Sequence, residues 1–304
     1  MNSKTNNALS KTAFITLLLI ALFMASNHIA ARIAFSNGLD VPTAVTARSL
    51  ATAIIVTILM YVQRVPIRFS SRHRKVLPAV AALICIQSLA LYSAVARLPV
   101  SLALLAFNTY PLWAALWAKL FYKQNPERAV LLAMPFMLVG LCLALDVFGS
   151  ASGIAASAHW AIIGLGVFFA LIAASTFGGV LVLIQHEVHD LDGRLRTAST
   201  FWMVALLAAI GTQTTGEFHW PINSAGWMGL AALTFFYGTG ITLIFTALPK
   251  LGAVGNSAIM NAEPIFALVL AWLILGQSIA LIQVIGAIIV VGTVIKLGLR
   301  KSKA

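Results

Sequence analysis

Two short strings in this chain could do chemistry: Asn108-Thr109-Tyr110-Pro111 and Asn261-Ala262-Glu263-Pro264. Each opens an apolar run, NTYPLWAALWAKL and NAEPIFALVLAWL. In hydrocarbon an amide or carboxyl has no water to bond, so it pairs within the protein or faces a cavity. Glu263 could hold an amine or carry a proton, and Tyr110 suits a mostly apolar pocket with few polar groups. Pro111 and Pro264 each remove a backbone donor and predict a helix kink. Asn108 and Asn261 have two roles open to them: contact with a cargo carboxylate, or repair of the carbonyls freed one turn before the prolines. The recurrence of Asn-x-x-Pro predicts a duplicated membrane protein whose working site lies where the copies meet.

The rest of the chain must supply membrane-spanning elements to position these groups, and its composition does. Of 304 residues 61% are hydrophobic and 9% charged, too little charge to cover a soluble domain. Apolar stretches of roughly 20 residues recur from end to end. They predict ten helices, near Thr12–Phe35, Val41–Val62, Val76–Ala96, Ser101–Phe121, Arg128–Asp146, Trp160–Ile184, Thr197–Thr214, Ala225–Leu248, Val254–Leu275 and Ile279–Leu297. Pro78 falls in the first turn of the third of these, where a missing amide hydrogen costs nothing. Lys4 and Lys11 ahead of the first apolar run read as the flank of a retained span rather than of a cleaved leader.

The net charge of +12 is placed for membrane orientation rather than for nucleic acid. One cluster is Arg64, Arg68, Arg72, Arg74 and Lys75; another is Lys296, Arg300, Lys301 and Lys303. With Lys123, Arg128, Arg194, Arg196 and Lys250 they fall on alternate loops, while Asp40, Asp146 and Glu217 fall on the others. This bias predicts both termini in the cytoplasm and an even number of spans. Offsetting the chain by 153 residues superposes Asn108 on Asn261 and Pro111 on Pro264, and Gly140 meets Gly292 at an offset of 152. Five spans are an odd number, so the second copy enters from the opposite side. The expected architecture is an all-α membrane protein with ten transmembrane helices in two inverted five-helix repeats. The repeats occupy residues 12–146 and 160–297, joined by 147–159, with a short segment 1–11 ahead and a basic tail 298–304 behind.

With Ser26-Asn27, Gly38-x-x-x-Pro42 and Arg48 in the first half, and Glu263-Pro264, the run FALVLAWLILG, Gly286 and Gly292 in the second, the chain resembles the drug/metabolite transporter superfamily, in particular its EamA type. It departs from that pattern at Gln277, where a glutamate commonly follows the glycine, and at Tyr110, which stands opposite Glu263 and leaves one half without a membrane carboxylate. The resemblance implies a multi-pass carrier of the bacterial inner (plasma) membrane, often an exporter of amino acids or related small metabolites. Two alternatives are a passive small-solute channel and a membrane-embedded enzyme acting on lipid. The enzyme would need nucleophile–base pairs at one membrane depth, and no convincing set is present.

Other polar groups complete the candidate set. Glu263 is expected near mid-membrane, about 14 Å beyond the inner end of its helix, as a contact for substrate amine or for proton coupling. Arg48, seven residues inside its span, can bind an anion or serve as a structural clamp near the outer surface. Arg32 is expected at the interface. Asn27 and His28 are neighbours that cannot easily share one helix face; Asn27 is the chosen contact and His28 the alternative proton carrier. Gln87, Tyr92, Trp202 and Tyr237 could line a route. The string His186-Glu187-Val188-His189-Asp190 is not a zinc motif, because its histidines are three apart rather than four. With no phosphate-binding glycine loop, neither a cofactor nor ATP-driven transport by this chain alone is expected. The expected partners are a small-molecule substrate, the lipid bilayer and the proton.

Overall fold

The computed structural model describes residues 11–125, 128–145, 156–216, 218–246, 262–277 and 280–298. Among these residues the chain forms eleven helices: α1 (Lys11–Ser36), α2 (Val41–Val62), α3 (Ser71–Arg97), α4 (Val100–Phe107), α5 (Tyr110–Tyr122), α6 (Arg128–Ala144), α7 (Ala156–Glu187), α8 (Gly193–Thr215), α9 (Ser224–Thr246), α10 (Glu263–Leu275) and α11 (Leu281–Gly298). Seven spans, with α4 and α5 counted as one, are long and apolar enough to cross a membrane, and three shorter apolar helices accompany them. A helix satisfies its own backbone, which is why apolar chain in lipid takes this form. Phe121, Leu132 and Ile288 turn more than half their surface outward, as lipid-facing side chains do.

Cap chemistry moves several expected boundaries. The third helix starts at Ser71 rather than Val76, because the Ser70 hydroxyl accepts from His73 N and the His73 ring in turn faces Ser70 N. Pro78 is therefore two turns inside the helix, not in its first turn. The eighth starts at Gly193 rather than Thr197, with Asp192 accepting from Arg194 N. Polar first turns are invisible to hydropathy but favoured by capping.

The fourth span is two helices rather than one. Asn108 and Thr109 form a tight turn between α4 and α5: Thr109 N reaches Ala106 O, and Leu112 N reaches Thr109 O. Pro111 thus sits in the first turn of a new helix, and Pro264 does the same in α10. Each occupies a position that has no intrahelical donor to lose. Tyr110 and Glu263 become the opening residues of α5 and α10, rather than mid-helix residues beside a kink. Asn261 lies outside the described residues.

Duplication is visible in the geometry. α5 and α10 each run for 13 residues, and each ends on a left-handed residue, Lys123 at φ 55° and Gly276 at φ 63°. The α2 and α8 N-caps, Asp40 and Asp192, match in the same way. Exchanging the halves maps α1 onto α7, α2 onto α8, α3 onto α9, α5 onto α10 and α6 onto α11. The packing respects that exchange: α3 lies against α7 and α1 against α9, while α2 pairs with α8 and α6 with α11. The main core gathers Ile29, Leu98, Leu104, Leu141, Ala267 and Val290 from five helices and the link between α3 and α4.

The α6–α11 seam depends on glycine. A Cβ on Gly286 would stand 2.3 Å from Ala144 N and 2.5 Å from Gly140 O, whereas one on Gly292 would meet nothing within 4 Å. Backbone atoms cannot rotate aside, so Gly286→Ala should force the helices apart at a cost of about 1–3 kcal/mol. Thermal unfolding in detergent should show a lower Tm for Gly286→Ala and no loss for Gly292→Ala; equal melting of the two would contradict the seam.

Candidate functional site

A buried polar network crosses the first three helices. Ser88 and Tyr92 lie one turn apart on α3 and so share a face. Arg48 of α2 reaches both: Nη1 donates to the Tyr92 hydroxyl at 3.0 Å and Nη2 to Ser88 Oγ at 2.8 Å. The Tyr92 hydroxyl donates to Asn27 Oδ1 of α1 at 2.7 Å. The Arg48 guanidinium carbon stands 4.6 Å from the Tyr92 ring centre and 3.9 Å from that of Tyr237 on α9. These are cation–π distances. Among the described residues, Arg48 has no carboxylate partner. Gln87 touches the network through Ser88, whose hydroxyl donates to Gln87 Oε1 at 3.3 Å.

The next residue of α1 faces a second partner. His28 Nε2 lies 3.2 Å from Glu263 Oε1; the His28 side chain is 6% exposed and that of Glu263 24%. Neighbours on a helix diverge by roughly 100°, so Asn27 meets α3 while His28 meets α10. The choice between them dissolves: both are buried, and each has its own polar partner. The networks touch where the His28 ring stands edge-on to Tyr92, centroids 5.9 Å apart. Glu263 heads α10, where the helix dipole favours negative charge.

Tyr110 packs in an aromatic group with Phe107 and Phe177, at centroid distances of 5.7 and 5.1 Å. Asn108 donates from Nδ2 to Leu104 O at 2.7 Å, a backbone repair within its own helix. Arg32 donates to Val95 O and Ala96 O at the end of α3, the helix terminus a cation favours. Trp202 donates to Thr57 Oγ1 and is 45% exposed. A flank cavity of about 500 Å³ lies between α3, α5 and α7, walled by Leu83, Trp117, Phe121 and Thr176. No residue singled out from the sequence as a site lines it.

The His186–Asp190 string is a tie between helix ends. Glu187 accepts from Arg72 Nε and from the Tyr122 hydroxyl, both at 2.7 Å. His73 Nε2 lies 3.0 Å from Asp190 Oδ1. At the opposite end Asp40 meets His219 at 3.1 Å, and Asn223 donates to Asn37 at 2.7 Å. Sequence reading missed Ser88 and the joining of His28 to Glu263. The one-turn spacing of Ser88 and Tyr92 was the available signal.

Among the described residues, seven long apolar spans and three shorter apolar helices in two exchanged halves, with a buried polar core, define a multi-pass membrane protein of duplicated architecture. Residues 11–145 and 164–298 each match the EamA-like transporter family, and the chain belongs to that family, within the drug/metabolite transporter superfamily. The two matches begin 153 residues apart, the offset between the Asn-x-x-Pro strings. An "Uncharacterized transporter YcbK" of Bacillus subtilis (strain 168) is 30% identical over 128 residues. That match spans 40% of this chain and 41% of the relative. One protein of known crystal structure shares the fold with a TM-score of 0.60 at 17% identity, over 93% of this chain and 95% of its own. The family is one of transporters rather than of enzymes.

The His73–Asp190 tie generates a pH test. His73 holds the Asp190 carboxyl below its ordinary value of 3.8 by hydrogen bonding. A depressed carboxyl stabilises the fold above its unfolded pKa, and the contribution is lost as pH falls through the lower folded value. Asp190→Asn should melt slightly below the wild type at pH 7, and the gap should close as pH falls below about 3.8. A gap that persists unchanged there would remove the carboxylate from the account.

Proposed function

We propose that this chain is a secondary carrier that exports an amino acid or related small amphipathic metabolite by alternating access. The observation that carries this reading is the His28–Glu263 pair at 3.2 Å, an intramembrane carboxyl at a half-helix N-terminus facing a titratable ring rather than a fixed cation. Such acids mark substrate or ion pathways, and discontinuous helices mark the binding depth of carriers. Tyr110 stands at the equivalent helix start, with Asn108 two residues before it and Asn261 the counterpart of Asn108 in sequence. Asn27, Gln87 and Tyr237 border the same region from α1, α3 and α9.

The packing supports moving bodies that differ from the sequence repeats. α3, α4 and α5 pack on α7, while α1 packs on α9 and α10. Each body therefore draws helices from both halves, and the cargo sits on the seam between them. The ends of the bundle bearing Arg64, Arg68, Arg72 and Arg74 face the cytoplasm by the positive-inside bias, in the inner membrane of a bacterium. Glu263 and His28 share the coupled proton: cargo binding displaces it, and its return resets the carrier.

Purified protein in proteoliposomes should show saturable uptake and counterflow, which a channel would not, and screening amino acids, nucleosides and sugars identifies the cargo. Glu263→Gln should keep counterflow but lose its response to an imposed pH gradient. An undiminished response in the variant removes Glu263 from coupling; no response in the wild type itself leaves facilitated diffusion as the mechanism of the same carrier.

A further inference from the structure

Arg48 is 3% exposed inside the bundle, and its hydrogen-bonding account does not close. A guanidinium carries five N–H donors and no acceptor. Nη1 is satisfied by Tyr92 and Nη2 by Ser88, whereas Nε has no partner. Asn27 spends its oxygen on the Tyr92 hydroxyl, and its buried Nδ2 has no partner either. The Tyr92 hydroxyl thus has orphan N–H groups on two of the side chains it bonds. The cluster has a surplus of donors and of positive charge, with no carboxylate among the described residues to meet them. Two tyrosine rings soften that charge without supplying an acceptor.

We infer that Arg48 and Asn27 form the recognition site for a carboxylate on the cargo, which makes the cargo a monocarboxylate or an amino-acid zwitterion. An anion supplies acceptors to Arg48 Nε and Asn27 Nδ2 and neutralises a buried charge in one step. One guanidinium and one amide suit a single negative charge; a phosphate dianion would call for a second cation, and none stands against the cluster among the described residues. Arg48 and Asn27 come from α2 and α1, whereas Ser88 and Tyr92 come from α3, which packs on α7. The two hydroxyls therefore hold the guanidinium from across the seam and yield to carboxylate oxygens when the cargo enters. An ammonium on the same cargo would point toward Glu263, because His28 lies between that carboxyl and the Tyr92 ring.

The inference rests on the carrier reading, and one panel separates the two. Full-length protein in detergent is melted with free L-amino acids, their α-amides, nucleosides and sugars, and the same solutes are tried in counterflow. At least one free amino acid should raise the Tm and exchange, with its amide about tenfold weaker. Arg48→Lys, which keeps the charge but not the planar fork, should narrow the acid-to-amide ratio; a merely structural arginine would lower the Tm without changing that ratio. Should Arg48→Lys fail to fold, the wild-type acid-to-amide ratio still decides. Equal effects of acid and amide, or counterflow of neutral sugars or nucleosides alone, overturn the carboxylate site and leave the carrier standing. No saturable counterflow across the panel overturns both.

Discussion

Inside hydrocarbon, every polar group must find its partner within the protein. Long apolar helices meet that demand for their own backbones, and the chain supplies them end to end. The demand then falls on the interruptions. At Asn108–Thr109 the helix ladder stops, and two side chains close the gap: Asn108 bonds Leu104 O, and Thr109 Oγ1 bonds Ala106 O at 2.8 Å. The repair leaves the following residue at the start of a helix halfway along a 23-residue span. A side chain is thereby placed midway along that span on the positive end of a helix dipole. In the second half Glu263 opens the equivalent helix, α10.

Much of the fold was legible because hydropathy and charge are long-range, redundant signals. The second helix matched its expected bounds, Val41–Val62, since Asp40 and Pro42 announce its start. Where the reading slipped, short polar chemistry had overridden hydropathy, as with the Ser70 and Asp192 caps that draw arginines into the first turns of α3 and α8. The break at Asn108 was read as a kink, because Pro111 marks a disruption without telling a bent helix from a new one.

The polar core was less legible, since spacing along one helix says nothing of what another helix presents. Asn27, Arg48 and Tyr237 were each visible as polar residues in apolar runs. Their gathering with Tyr92 into one network around Arg48 depends on the packing of α1, α2, α3 and α9. A choice between Asn27 and His28 assumed a single polar surface, whereas α1 is buried on two sides. Arg48, read as an anion site or a structural clamp near the outer surface, has hydroxyls and aromatic faces as its observed partners.

The symmetry breaks where chemistry is required. At the offset that superposes the Asp40 and Asp192 caps, Arg48 meets Thr200. At the offset that superposes Ser70 and Asn223, each of which caps through its side chain, Ser88 meets Ile241. The second half therefore repeats the helices but not the donors. Two identical halves would place two arginines in one low-dielectric core, with mutual repulsion added to two desolvation costs. One guanidinium on α2 and one carboxyl on α10 instead leave the two sides of the core chemically distinct. A duplicated frame thus carries a single set of buried donors and a single acid, and a cargo of the proposed kind would meet them in one orientation only.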